Sequence, residues 1–139
     1  MVMKDRRVRL TVSVIGLGLG MMLAQGAAEA ADKVKVGLML PYTGTYASLG
    51  NAITNGFKQF VAEQGGTLGG REVEYFVVDD ESDPAKATEN ANKLVKRDSV
   101  DVLVGTVHSG VALAMAKVAR DSKTLMIIPN AGADELTGP

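Results

Sequence analysis

The sequence predicts an α/β fold: a parallel sheet with helices on both faces. Three observations predict it. Four short apolar runs alternate with three helix-length stretches in the order β-α-β-α-β-α-β, and such alternation implies parallel strands joined by crossover helices. The first strand run becomes continuously apolar, as strands covered on both faces do. The second helical stretch carries its own start signal, Asp83-Pro84.

The elements follow in order. Lys33-Val34-Lys35-Val36-Gly37-Leu38-Met39-Leu40 is the first strand, and Pro41 ends it. Over 51–63, Ile53, Phe57, Phe60 and Val61 recur at i, i+4, i+7 and i+8, one face of a helix. Gly65-Gly66-Thr67-Leu68-Gly69-Gly70 breaks that helix and turns the chain. Glu72-Val73-Glu74-Tyr75-Phe76-Val77-Val78 is the second strand. The helix after Asp83 runs to Arg97 with Ala87, Ala91, Leu94 and Val95 as its buried stripe. Glu89 and Lys93 form an i,i+4 pair, and Lys96 and Arg97 suit the negative end of the dipole. Val100-Asp101-Val102-Leu103-Val104-Gly105 is the third strand. A helix over 111–120 follows, with Ala112, Ala114, Ala116 and Ala119 allowing close approach. Thr124-Leu125-Met126-Ile127-Ile128-Pro129 is the fourth strand.

The first thirty-one residues read differently. Lys4, Arg6, Arg7 and Arg9 precede an apolar run from Val8 to Leu23, and small residues ending Ala28-Glu29-Ala30-Ala31 follow. This is the order of a secretory signal peptide, with cleavage after Ala30 or Ala31. The run is interrupted by Gly16, Gly18 and Gly20 and falls short of the ~20 apolar residues a membrane span needs. Residues 1–31 are therefore expected to be a leader and 32–139 an exported domain with no membrane insertion after cleavage. The surroundings of Arg6-Arg7 fit a twin-arginine signal poorly, so Sec export is expected.

Residues 32–139 hold 11 Lys and Arg against 14 Asp and Glu, a net charge of −3. A mildly acidic body argues against nucleic acid and anionic membranes as partners. With no cysteine there is no disulfide, no thiolate metal site and no lipidated Cys at the cleavage point. With one His as well, no cofactor is expected.

Ligands of open parallel sheets bind beyond the carboxyl ends of the strands, near the reversal of strand order. Loops 41–50, 106–110 and 130–133 lie there and are rich in Gly, Ala, Ser, Thr and Asn. Ser109-Gly110 opens a helix whose N–H groups and positive dipole end suit a carboxylate; the plainer reading makes these ordinary loops with Ser109 an N-cap. Gly44 and Gly50 are too far apart for a dinucleotide fingerprint, and no phosphate-binding P-loop occurs. Asp79-Asp80-Glu81 reads as a solvated turn before a capped helix rather than a metal pocket. His108 reads as a hydrogen-bonding structural residue, with anion binding as the alternative. Ser109 lacks a nucleophile elbow and has only His108 as a neighbouring base, so hydrolysis is the weakest reading.

The residues Val36-Gly37-Leu38-Met39-Leu40-Pro41-Tyr42-Thr43-Gly44, Val78-Asp79-Asp80 with Asp83-Pro84-Ala85-Lys86-Ala87, Val102-Leu103-Val104-Gly105, and Pro129 to Glu135-Leu136-Thr137 resemble the periplasmic leucine/isoleucine/valine-binding protein family. That resemblance covers nearly all of 33–139 and is not specific for a ligand. It implies a type I periplasmic binding protein with two α/β lobes closing on a small molecule, of which this sequence holds part of the N-terminal lobe; the ending Leu136-Thr137-Gly138-Pro139 reads as a loop leading onward. By position it implies Ser109 on a ligand carboxylate, and Asn130 and Gly132 at the ligand's polar head. Leu49 stands where the family often has an aromatic, with Tyr42 and Tyr46 as alternative pocket walls. His108 replaces a small residue of many relatives, and the Asn130-Ala131-Gly132-Ala133 loop departs from the leucine type; both look closer to members that take aromatic or other organic acids. The implied function is the periplasmic substrate-binding component of an ABC importer, a monomer when complete, taking a carboxylate-bearing solute and working with permease subunits. It makes and breaks no bonds. The alternative use of the same fold is a ligand-sensing domain of a receptor or regulator.

Overall fold

The computed structural model describes residues 32–138, so the leader read over 1–31 lies outside the described residues. The centre of the sheet is β1 (Val34–Leu40), whose residues from Val36 onward are buried. β3 (Arg71–Asp79) and β4 (Val102–Val104) flank it in parallel, and β5 (Leu125–Ile127) is parallel to β4 at the edge. A two-residue strand, β2 (Thr67–Leu68), pairs antiparallel with β3, giving the order β2-β3-β1-β4-β5.

β2 corrects the expectation of a plain turn over Gly65 to Gly70. Gly69 and Gly70 both have positive φ, +59° and +78°. Two such residues in succession make the twisted two-residue loop that hairpins prefer, so the chain doubles back on β3 before it joins the parallel sheet.

α1 (Ala47–Glu63) covers one face, and α2 (Pro84–Asn92) and α3 (Ser109–Ser122) cover the other. Side chains alternate along each strand. Val36, Leu38, Val102 and Val104 face α1, where Phe57 meets the Tyr75 ring edge-on. Met39 and Leu103 face α2 and α3 and join Ala87, Ala91, Leu94, Val111 and Met115 in the larger core. Small alanines on α2 and α3 let those two helices pack against each other, as the alanine stripe predicts.

Helix ends follow local chemistry. The Asp83 carboxylate accepts the Ala85 N–H at 2.8 Å, and Pro84 occupies the first turn, as expected. After Asn92 the helix widens into a π turn (Lys93–Arg97) rather than continuing in α register. Phe60 is the exception to the α1 stripe. It is 53% exposed, because the inward seam runs through Gly50, Thr54, Phe57 and Val61. The third helix begins two residues earlier than predicted, at Ser109, and the fourth strand is shorter, ending at Ile127.

Candidate functional site

Strand order reverses direction between β1 and β4. The chain leaves β1 toward α1 on one face and leaves β4 toward α3 on the other. The two connections therefore diverge and open a crevice at the carboxyl edge, where ligands of such sheets bind. Parallel pairing brings Tyr42, Tyr46, His108, Ser109, Asn130 and Gly132 to this edge, and Leu49 lies in the first turn of α1 beside it. Ser109 and His108 are half-buried, whereas Tyr46, Leu49, Asn130 and Gly132 are exposed. The edge is an open ledge. Hollows of about 350 Å³ against α2 and α3 and about 360 Å³ between α1 and β3 include none of these residues.

At the tip of α3, the N-cap is His108, not Ser109. Its Nδ1 accepts the N–H groups of Gly110 at 3.1 Å and Val111 at 3.4 Å. Ala112 N–H already bonds the His108 carbonyl. Most of the tip's donors are thus consumed by the cap. Among the described residues, the N–H and hydroxyl of Ser109 have no partner, and they are what the helix tip offers a guest. No hydrogen bond joins Ser109 to the His108 ring, so the pair does not form a nucleophile and base.

The β1–α1 connection is tied down by Tyr42. Its N–H donates to Asp79 Oδ1 at 2.9 Å, and its hydroxyl lies 2.7 Å from Thr54 Oγ1 on α1. Burial pushes the Tyr42 hydroxyl above its ordinary range, with the carboxylates of Asp79 and Asp80 adding to the rise and the Thr54 bond opposing it. Burial also works to raise Asp79. The N–H groups of Tyr42 and Glu81 and both donors of Thr43 outweigh it, and its carboxyl sits below the usual range.

The acidic run is not a solvated turn throughout. Asp80 is fully buried, and so is Thr106 at the end of β4. The Thr106 hydroxyl donates to Asp80 Oδ2, and the Ser82 N–H donates to Asp80 Oδ1 at 2.8 Å. Sequence reasoning placed Asp80 in a solvated turn and Thr106 in a small-residue loop, and missed their contact. Nothing local marks a contact between positions 26 apart; the available signal was an acidic side chain directly after an apolar strand.

Comparison with known proteins adds the lineage. The family model described as periplasmic binding protein matches residues 33–139. The Leu/Ile/Val-binding protein BraC3 of Rhizobium johnstonii is 34% identical over 131 residues, covering 92% of this chain and 35% of that protein. A leucine-, isoleucine-, valine-, threonine- and alanine-binding protein of Pseudomonas aeruginosa is 34% identical over 110 residues, 78% of this chain and 29% of that protein. Among solved structures, an ABC transporter solute-binding protein of R. palustris in complex with benzoate superposes with a TM-score of 0.75 at 57% identity, over 76% of this chain and 29% of that one. Another from R. palustris, in complex with 4-hydroxybenzoate, gives 0.71 at 30% identity over 76% and 29% of the two chains. The chain thus spans about a third of the length of the curated relatives it matches.

Proposed function

The chain belongs to the family of periplasmic binding proteins, and on that premise we propose that it contributes the N-terminal lobe of an ABC importer's solute receptor for a small aromatic carboxylate. Relatives are solute-binding transport proteins for branched-chain amino acids or aromatic acids. The observation that carries the proposal is the unpartnered N–H and hydroxyl of Ser109 at the tip of α3, beside the crevice between β1 and β4. Two neutral donors at the positive end of a helix dipole suit a carboxylate without an ion pair. The aromatic preference rests on the 57% identity to a protein in complex with benzoate.

In this reading residues 1–31 direct export to the periplasm and residues 32–139 are lobe. Asn130 and Gly132 meet the polar head, while Leu49, Tyr46 and Tyr42 offer surface to the ring. His108 holds the helix tip in place. Nothing is cleaved or formed; the ligand is buried as lobes close, and the closed form is what permease subunits read. Burial of the guest between two lobes supplies most of the affinity, so residues 32–139 alone are expected to bind weakly.

Calorimetry on the full length its gene encodes tests this, with benzoate, 4-hydroxybenzoate, leucine and isoleucine as ligands. Benzoate is expected to bind most tightly, and Ser109→Ala to weaken it about tenfold or more, the worth of a charge-assisted hydrogen bond. Leucine binding more tightly than benzoate overturns the aromatic assignment. Binding of none of the four overturns the receptor itself.

A further inference from the structure

Four connections meet at one buried point. Asp80 N–H donates to the Leu40 carbonyl at the end of β1 at 3.1 Å, and the Asp80 carbonyl accepts Asp83 N–H, at the cap of α2, at 2.9 Å. Its carboxylate takes the Ser82 N–H and the Thr106 hydroxyl. Thr106 passes the link on, because its carbonyl accepts the Ala131 N–H at 3.1 Å. The preceding residue, Gly105, donates to the Ile127 carbonyl at 3.0 Å. Main-chain bonds of these residues thus tie Asp80 to the end of β1 and the start of α2, and Thr106 to the segment holding Asn130 and Gly132, while the Asp80–Thr106 side-chain bond joins the two sets below His108 and Ser109. Asp80 and Thr106 each have 0% exposure, so neither touches a guest on the ledge.

A charge is costly to bury unless it is fully hydrogen-bonded. Replacing a buried polar pair by apolar groups of the same shape is often neutral for stability. What the carboxylate adds is direction: it fixes the Thr106 hydroxyl, and with it the path of the chain on either side. We propose that Asp80 and Thr106 are positioning residues of the ligand site. Together they set the separation between the Ser109 helix tip and the 130–132 loop. The proposal rests on the reading of the ledge as a carboxylate site, and it makes the spacing of the two ligand loops depend on a buried bond from Thr106, at the root of one loop, to Asp80, which lies in neither.

The test is Thr106→Val, which keeps the shape and removes the hydroxyl, beside Thr106→Ser, which keeps the hydroxyl. Both are made in the full length the gene encodes. Amide exchange and benzoate affinity are the two readouts. Thr106→Val is expected to speed exchange of the Ala131 and Gly110 N–H groups while the Val61 N–H in α1 is unchanged, and to weaken benzoate about tenfold or more. Thr106→Ser is expected to restore both. Unchanged exchange at Ala131 with unchanged affinity overturns the proposal, and so does a Thr106→Ser variant as impaired as Thr106→Val. Should the stranded carboxylate unfold Thr106→Val, the uncharged pair Asp80→Asn with Thr106→Val carries the same test. In that pair, wild-type exchange and affinity in a folded protein overturn the proposal. If the unaltered protein binds no benzoate, the ligand reading fails, while exchange at Ala131 and Gly110 still decides whether the pair positions the two loops.

Discussion

The two faces of the sheet are held by different forces. On the α2 and α3 face, Met39, Leu94, Leu103, Val111 and Met115 are completely buried. On the α1 face, Val36 and Leu38 are buried, but Val77 is 50% exposed, Leu125 65% and Ile127 46%. Five strands at about 4.8 Å spacing span roughly 19 Å, and one helix about 10 Å across cannot cover them. α1 compensates with polar anchors: the Tyr42 hydroxyl on Thr54 and the Tyr42 N–H on Asp79. Broad burial fastens one side of this sheet; on the other, a smaller buried cluster is joined by directed hydrogen bonds beside the candidate site.

The strongest attempt to break that contrast is one truncation on each side. Leu94→Ala on the sealed face is expected to cost about 2–5 kcal/mol, transfer and cavity together. Leu125→Ala on the open face is expected to stay within about 0.5 kcal/mol. Denaturant unfolding of both variants measures the difference, and equal losses would mean the open face is covered in solution.

A smaller effect is expected where α1 grips the sheet. Gly50 is buried in α1, and a Cβ there would lie 1.9 Å from the Pro41 carbonyl oxygen. Gly50→Ala therefore forces α1 off the end of β1, an overpacking cost of about 1–3 kcal/mol. Gly56, in the same helix, has nothing within 4 Å of the added atom. Gly56→Ala is expected to stabilise by about 0.5–1 kcal/mol through helix propensity alone. Opposite signs from one substitution in one helix would show that α1 is limited by this single contact.

The strands and helices were legible because burial imposes periodicity. β1 and β4 read as apolar runs, and Asp83-Pro84 reads as a helix start from two residues alone. What escaped has no periodic signature. β2 is two residues long, so a pair of glycine φ angles defines it rather than a hydrophobic pattern. The carboxyl edge was legible as a site because parallel order dictates where loops emerge. Its inner wiring was not. Histidine is an uncommon cap, and the Asp80 to Thr106 contact exists only after β3 and β4 have been placed on either side of β1.

The cap on the sealed face gives the next prediction. His108→Ala removes the acceptor for two N–H groups of α3 and is expected to cost about 1 kcal/mol. His108→Asn, with a side-chain oxygen suited to the same place, is expected to recover most of it. Thermal unfolding of the two variants separates the cap from any loss of ring packing, since a loss common to both would point to the ring.

The finest test uses pH and reads the polar anchors of the open face directly. Asp79 is held below the usual carboxylate range in the folded chain, so between the folded and unfolded values the unfolded chain binds more protons. Its contribution is present above the unfolded value, about 4, and is lost as pH falls through the folded one. Tyr42 is shifted the other way by burial. Its contribution is present below the unfolded value, about 10, and is lost as pH rises through the folded one. Both groups anchor Tyr42, Asp79 through its N–H and the hydroxyl through Thr54, so acid and alkali are expected to loosen the same loop from opposite ends. Asp79→Asn is expected to lessen the acid limb of stability against pH and leave the alkaline limb, whereas Tyr42→Phe lessens the alkaline limb and leaves the acid one. Surface pairs such as Lys117 with Asp121 are exposed and contribute little to either limb. If neither variant lessens its limb, α1 is not held through Tyr42, and its grip comes from the apolar contacts of Val36, Leu38 and Phe57 instead.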